Sequence, residues 1–395
     1  MNKPSLWRRH RRTGAFATSG WRCALSCYVG GNCSIFRVAH RNRKQQTGSP
    51  MTTSALHVTP IPTKWVGPIK ITGEVIDGAV SVPLATYETP LWPSTGRGAR
   101  VSRHCGGIRC TVIDERMTRS VALRAQSAAA AKKASDAIAG RFDELAAIVG
   151  QTSRFAQLIG LNRQIVGNLL YVRFECSTGD ASGHNMVTKA ADALLSWILQ
   201  QYPALSYSTI SGNFCTDKKT SAVNGILGRG KYVVAEAEIS RTVCTRLLRT
   251  TPELMVQLNV EKNLLGGVIA GSLRSANAHF ANMLLAFYLA TGQDAANIIE
   301  GSQGIVHCEV RRDALYFSCT LPNVIVGTVG NGKDNDVVEG HLEKIGCRSA
   351  RAPGDNARRL AVLCAATVLC GELSLMAAQT NPGELMKAHM VLERK

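Results

Sequence analysis

The stretch Ser211-Gly212-Asn213-Phe214-Cys215-Thr216-Asp217-Lys218-Lys219 sets two ammonium groups beside a carboxylate in a short polar loop. Adjacent lysines suit an anionic substrate and can stabilise a developing oxyanion, because a preorganised cation in a dry site is a strong lever on a reaction barrier. The same residues also fit a solvated charged turn, so the company they keep decides. A β-like run, Leu205 to Ile210, leads into the loop, and Gly228-Arg229-Gly230-Lys231 follows it. Three further groups could carry proton chemistry: Glu88 after a strand-like run, Asp294 after an apolar helix, and His389 near the C-terminus. Taken singly, they also read as a surface glutamate, a helix-ending aspartate and a tail histidine.

Phosphate-binding chemistry has three candidates. Ser94-Thr95-Gly96-Arg97-Gly98-Ala99-Arg100 reads as a glycine-rich turn bearing two arginines. Cys176-Ser177-Thr178-Gly179-Asp180-Ala181-Ser182-Gly183-His184-Asn185 follows a strand and opens a helix, whose free N–H groups and dipole favour a pyrophosphate; the same stretch is also an ordinary helix start. Gly327-Thr328-Val329-Gly330-Asn331-Gly332-Lys333 fits GxxxxGK, but Asp334 stands where Ser or Thr must ligate magnesium, so it reads as a glycine turn. No GxGxxG follows a strand in the right context, which argues against a Rossmann fold.

The 395 residues suffice for two domains and a sizeable core. Hydrophobic residues at 45% and charged ones at 19% are those of a soluble globular protein. The net charge of +18 is uneven: residues 1–50 hold ten Lys/Arg and no acid. That stretch reads as a presequence or as the product of a mis-set start with Met51 as the true one, and it is excluded from the fold. The remaining basic excess fits anionic ligands, with no aromatic-basic module to suggest nucleic acid. Thirteen cysteines without a CxxC pair point to free thiols in a reducing cytoplasm and to no metal. Leu360 to Ala378 is the best membrane-span candidate, but Gly371-Glu372 in its middle favours a buried core helix and no membrane.

Pattern predicts how these groups are carried. Pro68 to Ile71 and Val80 to Leu84 read as strands. Val121 to Leu123, a helix over Ser127–Gly150, strands at Arg154–Ile165 and Asn168–Glu175, a helix over Asn185–Gln201 and a strand at Ser206–Ile210 give the order βαββαβ of a ferredoxin-like sandwich. Beyond it come a strand at Val233–Ile239, a helix to Arg249, an apolar helix at Asn277–Leu289, strands at Leu315–Thr320 and Asn323–Val329, and a long apolar helix at Asn356–Ala378. The expected fold is mixed α/β (α+β): a small domain at 119–210, inserted into a large one built from 51–118 and 211–395 around a central helix.

Several segments, in this order and spacing, resemble 3-hydroxy-3-methylglutaryl-CoA (HMG-CoA) reductase of the soluble bacterial type, from about Trp65 onward. They are Val82-Pro83-Leu84-Ala85-Thr86-Tyr87-Glu88, Ser153-Arg154-Phe155, Gly179 to Met186, Ser211 to Lys219, Asn277-Ala278-His279, Thr291-Gly292-Gln293-Asp294-Ala295-Ala296 and Lys387-Ala388-His389-Met390. The resemblance implies reduction of HMG-CoA to mevalonate with two NADPH in a homo-oligomer whose sites form between subunits. Lys218 then resembles the oxyanion cation, His389 the proton donor to the CoA thiolate, and Glu88 the proton donor in the second reduction. Asp294 resembles the neighbour that raises the Glu88 pKa and orients Lys218. Arg119, Ser211, Asp217, Lys219 and Lys262 resemble the residues that hold the HMG portion, and Asn282 the asparagine near the glutamate. Ser94 to Arg100 resemble the CoA-contacting segment. Ser153, Arg154 and Phe155, with Asp180, Ala181, Ser182, Gly183, His184 and Asn185, resemble the dinucleotide site. Arg154 suits a 2′-phosphate and favours NADPH over NADH. The chain departs from the family where Glu-Asn-x-Ile-Gly is expected upstream, in Glu88-Thr89-Pro90, in Ser182 for a usual Met, and in having no serine after His389. Oxidative use of the same fold with NAD, and CoA or nucleotide binding without catalysis, are the alternatives.

Overall fold

The computed structural model describes residues 58–393. The basic stretch 1–50, the lead from Met51 and the side chain of His389 lie outside the described residues. In chain order, β1 (Thr63–Thr72) and β2 (Gly78–Ala85) lead to α1 (Leu91–His104) and β3 (Ile108–Arg124). Then come α2 (Ala128–Ala139), α3 (Phe142–Thr152), β4 (Gln157–Val166), β5 (Leu169–Ser177), α4 (His184–Gln201) and β6 (Ser206–Thr209). Next are α5 (Ala222–Leu227), β7 (Gly230–Ser240), α6 (Phe280–Ala290), β8 (Ile305–Arg311) and β9 (Ala314–Val324). The chain continues through α7 (Asp336–Lys344), α8 (Asp355–Gln379) and α9 (Glu384–Glu393).

β3 is a 17-residue strand that serves two sheets. Its first half pairs with β7, and this sheet runs β2-β1-β3-β7-β9-β8, mixed because β1 and β3 are parallel. Its second half lies between β5 and β6, and that sheet runs β4-β5-β3-β6 with each described pair antiparallel. Val121, Ala122 and Leu123 are buried on both faces there, which is why that half reads as a continuous apolar run. The expected single helix over 127–150 is two, because Gly140 and Arg141 interrupt it. The two strands expected between Leu315 and Val329 are the single β9. Each sheet has its own apolar cluster.

α8 is apolar on every side and almost wholly buried against the larger sheet. Its first turn is capped from afar: the Asp180 carboxylate accepts the Ala357 N–H at 2.9 Å. α1 crosses it so closely that a Cβ at Gly98 would run into the Cys370 backbone. This corrects the glycine-rich turn expected at Ser94–Arg100. The segment is the middle of α1, its N–H groups are largely spent within the helix, and Thr95, Gly98 and Ala99 are buried. Its glycines allow helices to approach rather than cradle phosphate. The Gly327–Lys333 stretch turns through positive φ at Gly330 and Gly332. The Lys333 ammonium is spent on the carbonyls of Gly292 and Asn331, and burial holds it down to about 8.

Candidate functional site

The 211–219 loop runs between β6 and α5. Lys218 sits in it with φ 54, and its ammonium lies 2.6 Å from Asp294 Oδ2. The other Asp294 oxygen accepts the Ala296 N–H at 3.1 Å. Burial alone would raise the Asp294 pKa, but these two donors hold it below the usual range. The Asp294 hydrogen bond in turn raises Lys218 above the ordinary lysine value, so the ammonium stays charged. Its side chain remains 38% exposed. Lys219 is exposed, with Nζ 3.1 Å from the Asp217 carbonyl. Ser211 is exposed at the start of the loop.

Beneath the loop lies a buried charge cluster. Arg229, 1% exposed, reaches Glu300 Oε1 at 2.6 Å and Asp217 Oδ1 at 2.9 Å. Burial pushes Glu300 up to about 7, against the pull of Arg229. His184 Nε2 is 3.7 Å from the same Asp217 oxygen. Burial, then the Arg229 charge, hold His184 down to about 4, so the ring is neutral near pH 7. The first turn of α4 therefore touches the lysine loop directly.

Glu88 lies just before α1, its N–H held by Thr86 Oγ1 at 3.0 Å, and its carboxylate accepts from Asn282 Nδ2 at 3.0 Å. These two line a cleft of about 440 Å³ with Ser94, Arg97, His279 and Glu384. Arg97 bonds to Ser374 Oγ at 2.9 Å and its carbonyl at 2.5 Å, and pairs with Glu384 at 2.9 Å. Below the cleft, Glu372 of α8 accepts the N–H groups of Ala278 and His279 at 2.8 and 2.5 Å. Burial raises its pKa. Lys262 lies near, its Nζ 3.4 Å from Asn263 Oδ1. Among the described contacts none joins Glu88 to Asp294 or Lys218 within the chain.

A third locus gathers the expected dinucleotide residues. Arg154 lies over the Phe155 ring at 4.6 Å. Both line a cleft of about 490 Å³ with Gly179, Pro353 and Arg358. Ser153 Oγ accepts the Phe155 N–H at 3.2 Å. Gly183, with φ 94, opens α4, where Ser182 Oγ lies 3.4 Å from His184 Nδ1 and Asn185 is exposed. Asp180 is turned inward to cap α8, and the Ala181 backbone bridges to Val329. Arg119, on β3, is half-buried, and Arg100 is exposed on α1.

Against known proteins, residues 36–394 match the family model described as hydroxymethylglutaryl-coenzyme A reductase. The chain belongs to this family. It is 44% identical to the 3-hydroxy-3-methylglutaryl-coenzyme A reductase of Pyrococcus horikoshii over 340 residues, 85% of this chain and 82% of that protein. The Aeropyrum pernix reductase is 43% identical, over 85% of this chain and 79% of its own. The class II reductase of Streptococcus pneumoniae, solved bound to NADPH in open conformations, superposes with TM-score 0.67 at 20% identity, covering 84% of this chain and 88% of its own; that likeness concerns the fold. Within this reductase family frame, sequence reasoning missed Arg229 and Glu300 as a buried pair. It read Glu372 only as a charge unsuited to lipid and gave His279 no role. A glutamate inside the apolar run Ile298-Ile299-Glu300 was the available signal.

Proposed function

We propose that this protein reduces HMG-CoA to mevalonate and free CoA with two NADPH, as a cytoplasmic homo-oligomer. The Lys218–Asp294 pair at 2.6 Å, in a chain of this family, carries the reading. NADPH, when bound, supplies the two hydrides. Lys218 neutralises the oxyanion that forms as the thioester carbonyl is reduced, and a charge held in place beforehand needs no reorganisation at that moment. His389 donates the proton that lets CoA leave as a thiol. Glu88, oriented by Asn282, protonates the aldehyde oxygen in the second reduction. Arg119, Ser211, Asp217, Lys219 and Lys262 hold the HMG portion. From the Ser94–Arg100 segment, Ser94 and Arg97 face the cleft and serve the CoA side.

Arg154 and Phe155 offer a guanidinium at a cleft mouth, which fits a 2′-phosphate. Ala181 to Asn185, at the start of the 18-residue α4, fit a pyrophosphate. Asp180, committed to α8, supports that site from behind. The strand order β4-β5-β3-β6 and the separate apolar cluster support a ferredoxin-like small domain at 119–210, inserted between 51–118 and 211–395. Leu265, Val268 and Ile269 leave an apolar surface exposed, which supports assembly with a second copy. Glu88 contacts Asn282 and Lys218 contacts Asp294, with no described contact between the two pairs, which fits a site completed by that copy.

The test follows loss of reduced-nicotinamide absorbance with purified protein. Two NADPH consumed per HMG-CoA is expected. Lys218→Ala should lower kcat about 100- to 1,000-fold with little change in stability, since a half-exposed ion pair contributes about 1 kcal/mol or less. Folded protein that binds CoA but consumes no NADPH would leave a binding protein instead.

A further inference from the structure

The Lys218 backbone lies in the left-handed region, as do Asn213 and Thr216. For residues other than glycine such geometry costs about 1 kcal/mol or more each and persists only where the surroundings impose it. What imposes it at Lys218 is Glu300, whose Oε1 accepts the Lys218 N–H at 3.1 Å and pairs with Arg229 Nη1 at 2.6 Å. The other arm of Arg229 holds Asp217, the residue before Lys218. Asp294 and Glu300 stand on one short helical segment, Asp294 at its N-cap and Glu300 in the turn Ile298–Gly301. One segment thus grips the lysine by its ammonium and by its backbone.

As a stabilising device the pair is poor. Glu300 is fully buried, and its Oε2 has no hydrogen-bond partner. Buried pairs with unfilled acceptors are commonly matched or bettered by apolar residues of similar volume. Position, not stability, explains the arrangement.

We propose that Glu300, acting with Arg229, is a positioning residue that fixes Lys218 for reduction of the thioester. The proposal rests on Lys218 being the oxyanion cation. Glu300 touches no reacting atom and acts only through the loop.

Wild type, Glu300→Gln, Lys218→Ala and the double variant are compared in NADPH-linked turnover of HMG-CoA. Hydrogen exchange over residues 213–220 is followed by mass spectrometry in wild type and Glu300→Gln. Glutamine keeps the shape and one acceptor but removes the charge that holds Arg229. Glu300→Gln should lower kcat about 10- to 100-fold, as small misplacements of a catalytic group do. KM for NADPH should be unchanged, and exchange should quicken over 213–220 but not along α8. The double variant should be no slower than Lys218→Ala, because the group being positioned is already gone. Losses that multiply in the double variant, or unchanged exchange over 213–220, overturn the proposal. A wild type that turns over no HMG-CoA refutes the functional reading instead, and the exchange comparison then decides alone whether Glu300 holds the loop.

Discussion

Asp180 joins the expected dinucleotide segment to the central helix, and its substitution separates two roles that sequence alone merges. Its carboxylate caps Ala357, 177 residues away, in the first turn of α8. Losing a side-chain cap costs about 1 kcal/mol, and losing a negative charge at a helix N-terminus adds about 0.3–1 kcal/mol. Asp180→Ala should therefore cost about 1.3–2 kcal/mol, or a fall in Tm of roughly 3–8 °C at 2–4 °C per kcal/mol. Asn caps as well as Asp, so Asp180→Asn should lose only the charge contribution, about 0.3–1 kcal/mol. The backbone of the segment stays tied through the Thr328 N–H to the Asp180 carbonyl at 2.8 Å. KM for NADPH should thus stay near wild type in the Asn variant and rise in the Ala variant, where the cap is lost. Thermal unfolding and NADPH kinetics on the three proteins suffice. An Asn variant with wild-type Tm but NADPH binding as weak as in the Ala variant would refute the reasoning and make Asp180 a direct cofactor ligand.

Other expectations follow from the same geometry. Gly98→Ala should cost about 1–3 kcal/mol by urea titration, because a Cβ there meets the Cys370 backbone and the helices must part. His184 is held down to about 4 in the fold, against ~6.5 when unfolded. Its contribution to stability is therefore present above about pH 6.5 and lost as pH falls through about 4. His184→Gln should flatten the stability–pH curve in that window, read by denaturant titrations at several pH values. Ile269→Glu places a charge on a side chain 88% exposed in one copy. It should shift sedimentation toward the monomer, abolish turnover and lower Tm by the stabilisation a partner copy supplies, while the far-UV spectrum stays folded. A monomeric wild type, or an active monomeric variant, would count against a shared site.

Length and an unbroken apolar composition were enough for α8, because a long helix apolar on all faces has few other places to be. The order of elements between β3 and β6 was legible for a similar reason, since each carries a clear period and a turn. The charged half of β3 was not: Asp114, Glu115 and Arg116 look like a loop, and only their partners explain them. Arg116 pairs with Asp114 and Glu175, and Glu115 with Arg358 at 2.6 Å. α1 was misread because two glycines and a proline depress helix propensity, and no side chain caps its start. Packing against α8 overrode that preference. Lys218 and Asp294 were legible as residue types in context. Glu300 was not, because its meaning depends on Arg229, 71 positions away in the chain.

β3 also sets the mechanics of the molecule. At about 3.3 Å per residue, its 17 residues form an unbroken bar roughly 55 Å long, clamped by one sheet at each end. Such a bar resists stretching and shear but yields to torsion, most readily at the register shift between Val112 and Asp114. The two sheets therefore share one continuous backbone, and the Asp180 contacts to Ala357 and Thr328 tie them a second time away from it.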